Sequence, residues 1–359
     1  MRSYTQQICL ASSLVALNAC GANSIDLDAS QRANVPTDNG NDSLSFDNIV
    51  QEMVADDSNV YWDWWSGTAS RTQGCAFENC SSTLTNYAEG QPVAVNQDDI
   101  FLSSYASVSG VTTVSRCPRA GCVGAPANIA QTGPSYPTFK FDQESIYWVS
   151  EFDVYRCPLT GCGDVPELVA ARLDDDPGLQ GINGYSTLML AGSTVYWAVP
   201  TNDHGTDLYS AAKDGSRAAT LEPHVESLGP DIVAFDDRFY WVDGSNRILS
   251  CPQLHCSEVV PTVLVATDSL KGSLSVDERG VYWLDRAKTQ PIQQYGGVWF
   301  CPASGCMGDT SPTLLSSNDV SYFTLSQQYL YWYESRSETR GDVSWVVGGS
   351  IFRTPKPSL

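Results

Sequence analysis

A tyrosine–tryptophan pair behind an apolar residue recurs along this chain and constrains the fold more than any other feature. It stands at Tyr61-Trp62, Tyr147-Trp148, Tyr196-Trp197, Tyr240-Trp241, Tyr282-Trp283 and Tyr331-Trp332. A degenerate copy, Ile100-Phe101-Leu102, fills the one wide gap. Counted on Tyr or Phe101, successive copies are 40, 46, 49, 44, 42 and 49 residues apart. Self-similarity at such a period marks a repeat architecture.

Each copy has the same internal order. An alternating apolar run such as Thr138-Phe139-Lys140-Phe141 comes first, then a polar turn, then the Tyr-Trp run. A third short run follows, as at Asp153 to Arg156, and a tight turn leads to a fourth, as at Pro166 to Val169. Short runs rich in Val, Tyr, Phe and Trp, bounded by Gly, Pro and Asp, read as strands. Four strands per unit of this length describe a blade of a β-propeller. The predicted fold is all-β: a seven-bladed β-propeller of four-stranded antiparallel blades over residues 43–359. The Tyr-Trp runs are apolar at consecutive positions, which suits a strand buried on both faces. Their tryptophans are expected to be core.

The last repeat supplies three runs (Tyr322 to Leu325, Leu330 to Tyr333, Ser350 to Arg353) and then stops. A third strand without a partner leaves an open edge. Ser43-Leu44-Ser45-Phe46 is predicted to close it by pairing around Phe352.

Residues 1–19 read as a signal peptide: Arg2, an apolar stretch from Ile8 to Ala16, then small residues. Leu17-Asn18-Ala19-Cys20 makes Cys20 the expected lipidation site, with plain secretion as the alternative. Residues 20–42, poor in apolar side chains, are expected to be a lipidated N-terminus and tether, with a reach of about 25 Å. The expected location is extracytoplasmic, anchored by lipid to a bacterial membrane, the outer one by preference.

Twelve cysteines are present. Ten form five pairs of one spacing: Cys75/Cys80, Cys117/Cys122, Cys157/Cys162, Cys251/Cys256 and Cys301/Cys306. All fall between the third and fourth runs. The fourth repeat loses both together, as Ala211 and Ser216. Joint presence or joint loss is what a local disulfide requires, and flanking positions of a short hairpin lie within reach. Zinc needs four converging ligands, and haem attachment needs a His after the second Cys, which no pair has. Each pair is expected to be a disulfide bridging the outer hairpin. No metal or other cofactor is expected.

The Tyr-Trp strands and the blade spacing resemble the YWTD and NHL-type β-propellers, and the Arg-Cys-Pro-x-x-Gly-Cys turns resemble those of exported lipoproteins of Gram-negative bacteria. That resemblance implies a propeller fold and a binding role. The Tyr-Trp-Thr-Asp motif itself is absent: Asp63, Val149, Ala198, Val242, Leu284 and Tyr333 follow the tryptophans.

A formal net charge of −21 disfavours nucleic acid or an anionic membrane as a binding surface. Long connections between second and third runs hold Trp64, Trp65, Asp203, His204, Arg286 and Arg336, an aromatic and charged rim able to hold a glycan or an anionic group. Asp56, Asp142, Asp236 and Asp277 recur before the Tyr-Trp runs and are expected to shape turns. Asp174 to Asp176 could hold calcium, but a solvated turn is favoured. No catalytic residue is assigned. The expected function is a monomeric binding module for a protein or glycan, touching membrane only through its lipid; the alternative is a propeller hydrolase or lyase acting on extracellular carbohydrate or peptide.

Overall fold

Seven antiparallel sheets make up the structure, a computed structural model that describes residues 37–38 and 43–358 apart from 66–69, 123, 134–137, 151–152, 164, 172–186, 201–205, 223–231, 257, 267–269, 287–294, 308–310, 317–319 and 341–342. The expected signal peptide, Cys20, Asp203, His204 and Asp174 to Asp176 lie outside the described residues.

Blade 1 consists of Val50–Ala55, Asn59–Trp65, Ser70–Ala76 and Thr85–Glu89. Blade 2 runs from Gln91–Val95 to Ala127–Thr132 and blade 3 from Phe139–Phe141 to Glu167–Ala170. Blades 4, 5 and 6 begin at Thr187, Ile232 and Leu270. In each, sequential strands pair in order. First strands of successive blades pack against one another at six of the seven interfaces, so they form the inner ring.

Blade 7 is built from Val320–Leu325, Tyr329–Arg340 and Val343–Pro355. Ser43–Phe46 closes it in the register Ser43↔Phe352, Leu44↔Ile351, Ser45↔Ser350, Phe46↔Gly349. Two findings differ from the sequence expectation here. Thr37–Asp38, within the expected tether, adds a fifth strand by pairing with Ser45 and Leu44. The stretch from Glu334 to Gly349, expected as a loop, is instead a strand pair extending to Arg340↔Val343. The stretch holds no proline, so no residue on either arm lacks the N–H that the ladder needs.

The core is divided among the blade interfaces. Seven apolar clusters are present among the described residues, each drawn from two neighbouring blades. Each Tyr-Trp strand feeds two of them, which is why it is apolar at consecutive positions: Trp62, Trp197 and Trp241 are fully buried and Trp148 and Trp283 nearly so. At the seam between blades 7 and 1, Leu44 and Phe46 join Met53, Trp62, Tyr331 and Tyr333. Burying one such side chain contributes about 1.5–3 kcal/mol, so the N-terminal strand adds packing as well as hydrogen bonds.

The five cysteine pairs lie at disulfide distance. Cα–Cα separations are 4.9 Å for Cys75 and Cys80, 5.2 Å for Cys117 and Cys122, and 5.6 Å for Cys157 and Cys162. They are 5.1 Å for Cys251 and Cys256 and 5.7 Å for Cys301 and Cys306. Their place in the blade corrects the expectation of a bridge across the outer hairpin, because in no blade does the second cysteine belong to the fourth strand. Cys80 opens a single helical turn, Cys80–Thr83, and the fourth strand starts only at Thr85. Cys122 precedes the fourth strand of its blade, Ala127–Thr132. Arg156 pairs with Glu167, five residues beyond Cys162. Cys256 follows the 3-10 turn Gln253–His255 and lies ahead of Thr262–Ala266, and Cys306 lies ahead of Thr313–Leu314. In four blades the residue after the first cysteine, Pro118, Pro158, Pro252 or Pro302, has no N–H to offer a fourth strand; in blade 1 the Ala76 N–H goes to the Thr83 hydroxyl instead, so in each case pairing resumes only beyond the turn. Each pair therefore closes the turn itself.

Gly161 and Gly305 take φ of 108° and 93° just before the second cysteine, a conformation that favours glycine. The Cys162 and Cys306 N–H groups then donate to Ile129 and Leu264 carbonyls on the preceding blade. In blade 4, Gly215 keeps φ 71° although Ala211 and Ser216 replace the cysteines.

Three of the recurring aspartates shape turns as expected. The Oδ1 atoms of Asp56, Asp142 and Asp277 accept backbone N–H groups two and three residues on. Asp236 does not: Phe235 pairs directly with Arg238, and in that two-residue turn Asp236 adopts φ 55°, a region Asp tolerates better than most residues.

Candidate functional site

The structure gathers part of the predicted rim at the seam between blades 7 and 1. Trp64 and Trp65 are not in a loop. They end the second strand of blade 1, where Trp64 faces Val50 and Arg71, and Trp65 faces Ser70. Trp64 is half-buried, and its indole N–H has no hydrogen-bond partner among the described residues. Trp65 is 54% exposed. Arg336, on the extended hairpin of blade 7, reaches Asp47 at 3.4 Å with both side chains open to water. Asp47 lies in the short link from the closing strand to Val50, beside the exposed Ile49. Ile49 and Asp47 thus lead into the strand that pairs with Trp64, and Arg71, opposite Trp64, stands 3.7 Å from Glu89. Arg286 ends the second strand of blade 6, paired with Tyr295.

Beneath the rim is a cluster of acids that the sequence reading did not single out. Asp63 follows Trp62 on the strand buried on both faces and is fully buried. Its Oδ1 accepts the Glu52 N–H at 2.7 Å, and its Oδ2 accepts the Ser70 hydroxyl. Gln91, on the first strand of blade 2, also donates to it. Burial raises the Asp63 carboxyl to about 6 against these hydrogen bonds. Glu52, on the inner strand of blade 1, is raised to about 7, first by burial and then by the Asp63 charge. The Tyr322 hydroxyl, from the inner strand of blade 7, bonds Glu52 and is itself held well above the ordinary tyrosine range by burial. Three blades thus share one cluster at the inner ring. The sequence did carry a signal for it: an acid after Trp62 where the other five Tyr-Trp repeats place an apolar residue.

Chemically, a carboxyl raised to about 7 and one raised to about 6 can each take up or release a proton close to neutrality. The rim above offers the aromatic face of Trp65 and two exposed ion pairs, Arg336 with Asp47 and Arg71 with Glu89. Among the described residues no group of three or more His, Cys, Asp and Glu is placed to hold a metal ion. No helix of the described residues is long and apolar enough to cross a membrane.

No protein-family model matches the chain. No curated protein matches it either. Solved structures do. A prolyl endopeptidase is similar at TM-score 0.58 and 11% identity, over 85% of this chain and 50% of that one, so the chain spans half its length. The β-propeller domain of the Trilobed protease from Pyrococcus furiosus, described as having an open velcro topology, is similar at TM-score 0.54 and 9% identity, over 85% of this chain and 94% of that one. The computationally designed Ika8 protein gives TM-score 0.51 and 10% identity, over 87% and 98%. At such identities the likeness concerns the fold, a seven-bladed β-propeller.

Proposed function

We propose that the protein is an extracytoplasmic binding module, of the exported lipoprotein type that its Tyr-Trp and Cys-Pro repeats resemble, which takes a protein or glycan at the rim of blades 7 and 1. The observation that carries this reading is Trp65: a large aromatic 54% exposed at the end of an otherwise buried strand of blade 1, the blade that the water-facing pair of Arg336 and Asp47 adjoins. Exposed aromatics next to arginine are the side chains that dominate recognition interfaces. The five cysteine pairs at disulfide distance support an oxidising location. Cys20 supplies the anchor in this reading. The test is capture of partners from envelope extract and of sugars on a glycan array, with Trp65→Ala and Arg336→Ala beside the unaltered chain. Loss of retained partners in both variants supports the reading; an unchanged profile refutes it.

A second reading, a hydrolase or lyase of extracellular carbohydrate or peptide, is favoured by the Glu52–Asp63 pair alone. Turnover of polysaccharide or peptide libraries that disappears in both Glu52→Gln and Asp63→Asn supports it. Turnover that persists in both, or none in the unaltered chain, rejects it.

A further inference from the structure

The residue following the third strand occupies one equivalent position in all seven blades. Its backbone N–H donates to a turn carbonyl of its own blade: Phe77 to Ser58, Arg119 to Asp98, Leu159 to Glu144, Lys213 to Ser193, Gln253 to Asp237, Ala303 to Arg279 and Lys356 to Gln328. In three cases its side chain reaches back to the first turn of the preceding blade. Arg119 pairs with Asp56, Lys213 with Asp142 at 3.3 Å, and Lys356 with Asp277 at 2.5 Å. In two of the three the cation also lies against the tyrosine of the preceding Tyr-Trp strand. Arg119 Nε donates to the Tyr61 hydroxyl at 2.8 Å, and Lys213 Nζ stands 5.8 Å from the Tyr147 ring centre.

The chemistry is matched interface by interface. Where the turn offers Asn96, Gly192 or Ser326, the follower in the next blade is Leu159, Gln253 or Phe77. An aspartate gets a cation; a neutral residue gets an uncharged one. Blades 5 and 6 break this pattern. The turn of blade 5 is Asp236-Asp237, yet the follower in blade 6 is Ala303, whose methyl group reaches neither.

The space left is a groove of about 800 Å³ between the two blades, open to solvent, with Asp236 and Ala303 exposed at its mouth; Phe235, Asp236, Tyr240 and Leu264 line one side and Asp277, Glu278 and Ala303 the other. The cations nearby are already engaged. Arg238, also in the wall, donates to the Ser250 hydroxyl at 2.8 Å and bonds Tyr240. Lys356 belongs to Asp277, and Arg279 stands 3.8 Å from Glu278. Asp236 has no ion-pair partner among the described residues.

We propose that this groove binds an external alkylammonium group, in the place that Arg119, Lys213 and Lys356 fill at three other interfaces. The ammonium faces the Asp236 carboxylate and the Tyr240 ring, and the alkyl stem lies along Phe235 and Leu264. Ion pairing and a cation–π contact act together there, as they do around Lys213. The site stands at the end of the blades that carries the cysteine turns, away from Trp65 and Arg336. It is therefore separate from the rim proposed above, and its failure leaves that reading untouched.

The test is calorimetric titration of the full chain with two probes: Nα-acetyl-lysine methylamide, which stands for a protein side chain, and cadaverine, a free diamine. Binding of the first alone, the second alone, or both supports the site and tells which source it prefers. Ala303→Lys, which places a tethered ammonium in the groove, is expected to weaken binding at least tenfold and to raise the melting temperature. Asp236→Asn, tolerated at φ 55°, is expected to weaken binding at least fivefold while the fold is kept. Trp65→Ala is expected to bind as the unaltered chain does. Titrations of Ala303→Met, a neutral plug, that match the unaltered chain overturn the proposal, as does the absence of binding by either probe.

Discussion

Replacing Glu52 by Gln removes a proton-binding group from the seam of the ring and leaves its size unchanged. Burial and the Asp63 charge hold the Glu52 carboxyl at about 7 rather than 4.5. Between those values the folded chain holds a proton that the unfolded chain has released. Stability from this group is complete below about pH 4 and is lost as pH rises through about 7. A shift of this size corresponds to about 3 kcal/mol. Unfolding entropy of about 2 cal/mol/K per residue makes that about 4 °C in melting temperature for a chain of this length. Asp63, raised to about 6, contributes in the same direction over a lower window. The assay is urea or thermal unfolding from pH 4.5 to 8 for both proteins. The variant is expected to match the unaltered chain near pH 4.5 and to gain on it by about 3 kcal/mol at pH 8. Parallel profiles across the whole range would refute the assignment of Glu52 as a buried neutral acid.

Two further outcomes are expected. Ala211→Cys with Ser216→Cys gives blade 4 the turn pair found in five other blades; since Gly215 already has the turn conformation, a disulfide forms and adds about 2 kcal/mol under oxidising conditions, seen as a melting-temperature rise that reductant abolishes. Lys356→Met strands Asp277, whose side chain is only 12% exposed, and is expected to cost about 3 kcal/mol in urea unfolding; a loss below 1 kcal/mol, the range of an exposed pair, would show that this contact does not hold blades 6 and 7 together.

The chain order alone determined the architecture. A Tyr-Trp strand every 40 to 49 residues can bury two faces only between two like neighbours, and a last repeat with three strands needs a fourth from elsewhere. Ser43–Phe46 was legible for that reason. The joint loss of cysteine at Ala211 and Ser216 likewise pointed to the partners, because a local bond leaves a local pattern. Where Cys80, Cys122 and Cys256 stand relative to the fourth strand was not legible, since equal spacing does not tell a turn from a strand end. The extended hairpin from Tyr329 to Pro355 was not legible either, since polar residues on exposed strands look like loop residues. The candidate site was legible only in part. Trp65 and Arg336 were picked by residue type, but only the ring closure brings Arg336 to Asp47 on the link into blade 1. Glu52 and Tyr322 are 270 residues apart in the chain and act on each other only because the first strand of blade 1 stands beside that of blade 7. The groove at Ala303 shows the same division. Sequence says which residue follows each third strand. Whether that residue meets an aspartate, an asparagine or an open space depends on the neighbouring blade, and burial and charge pairing there are properties of the closed ring.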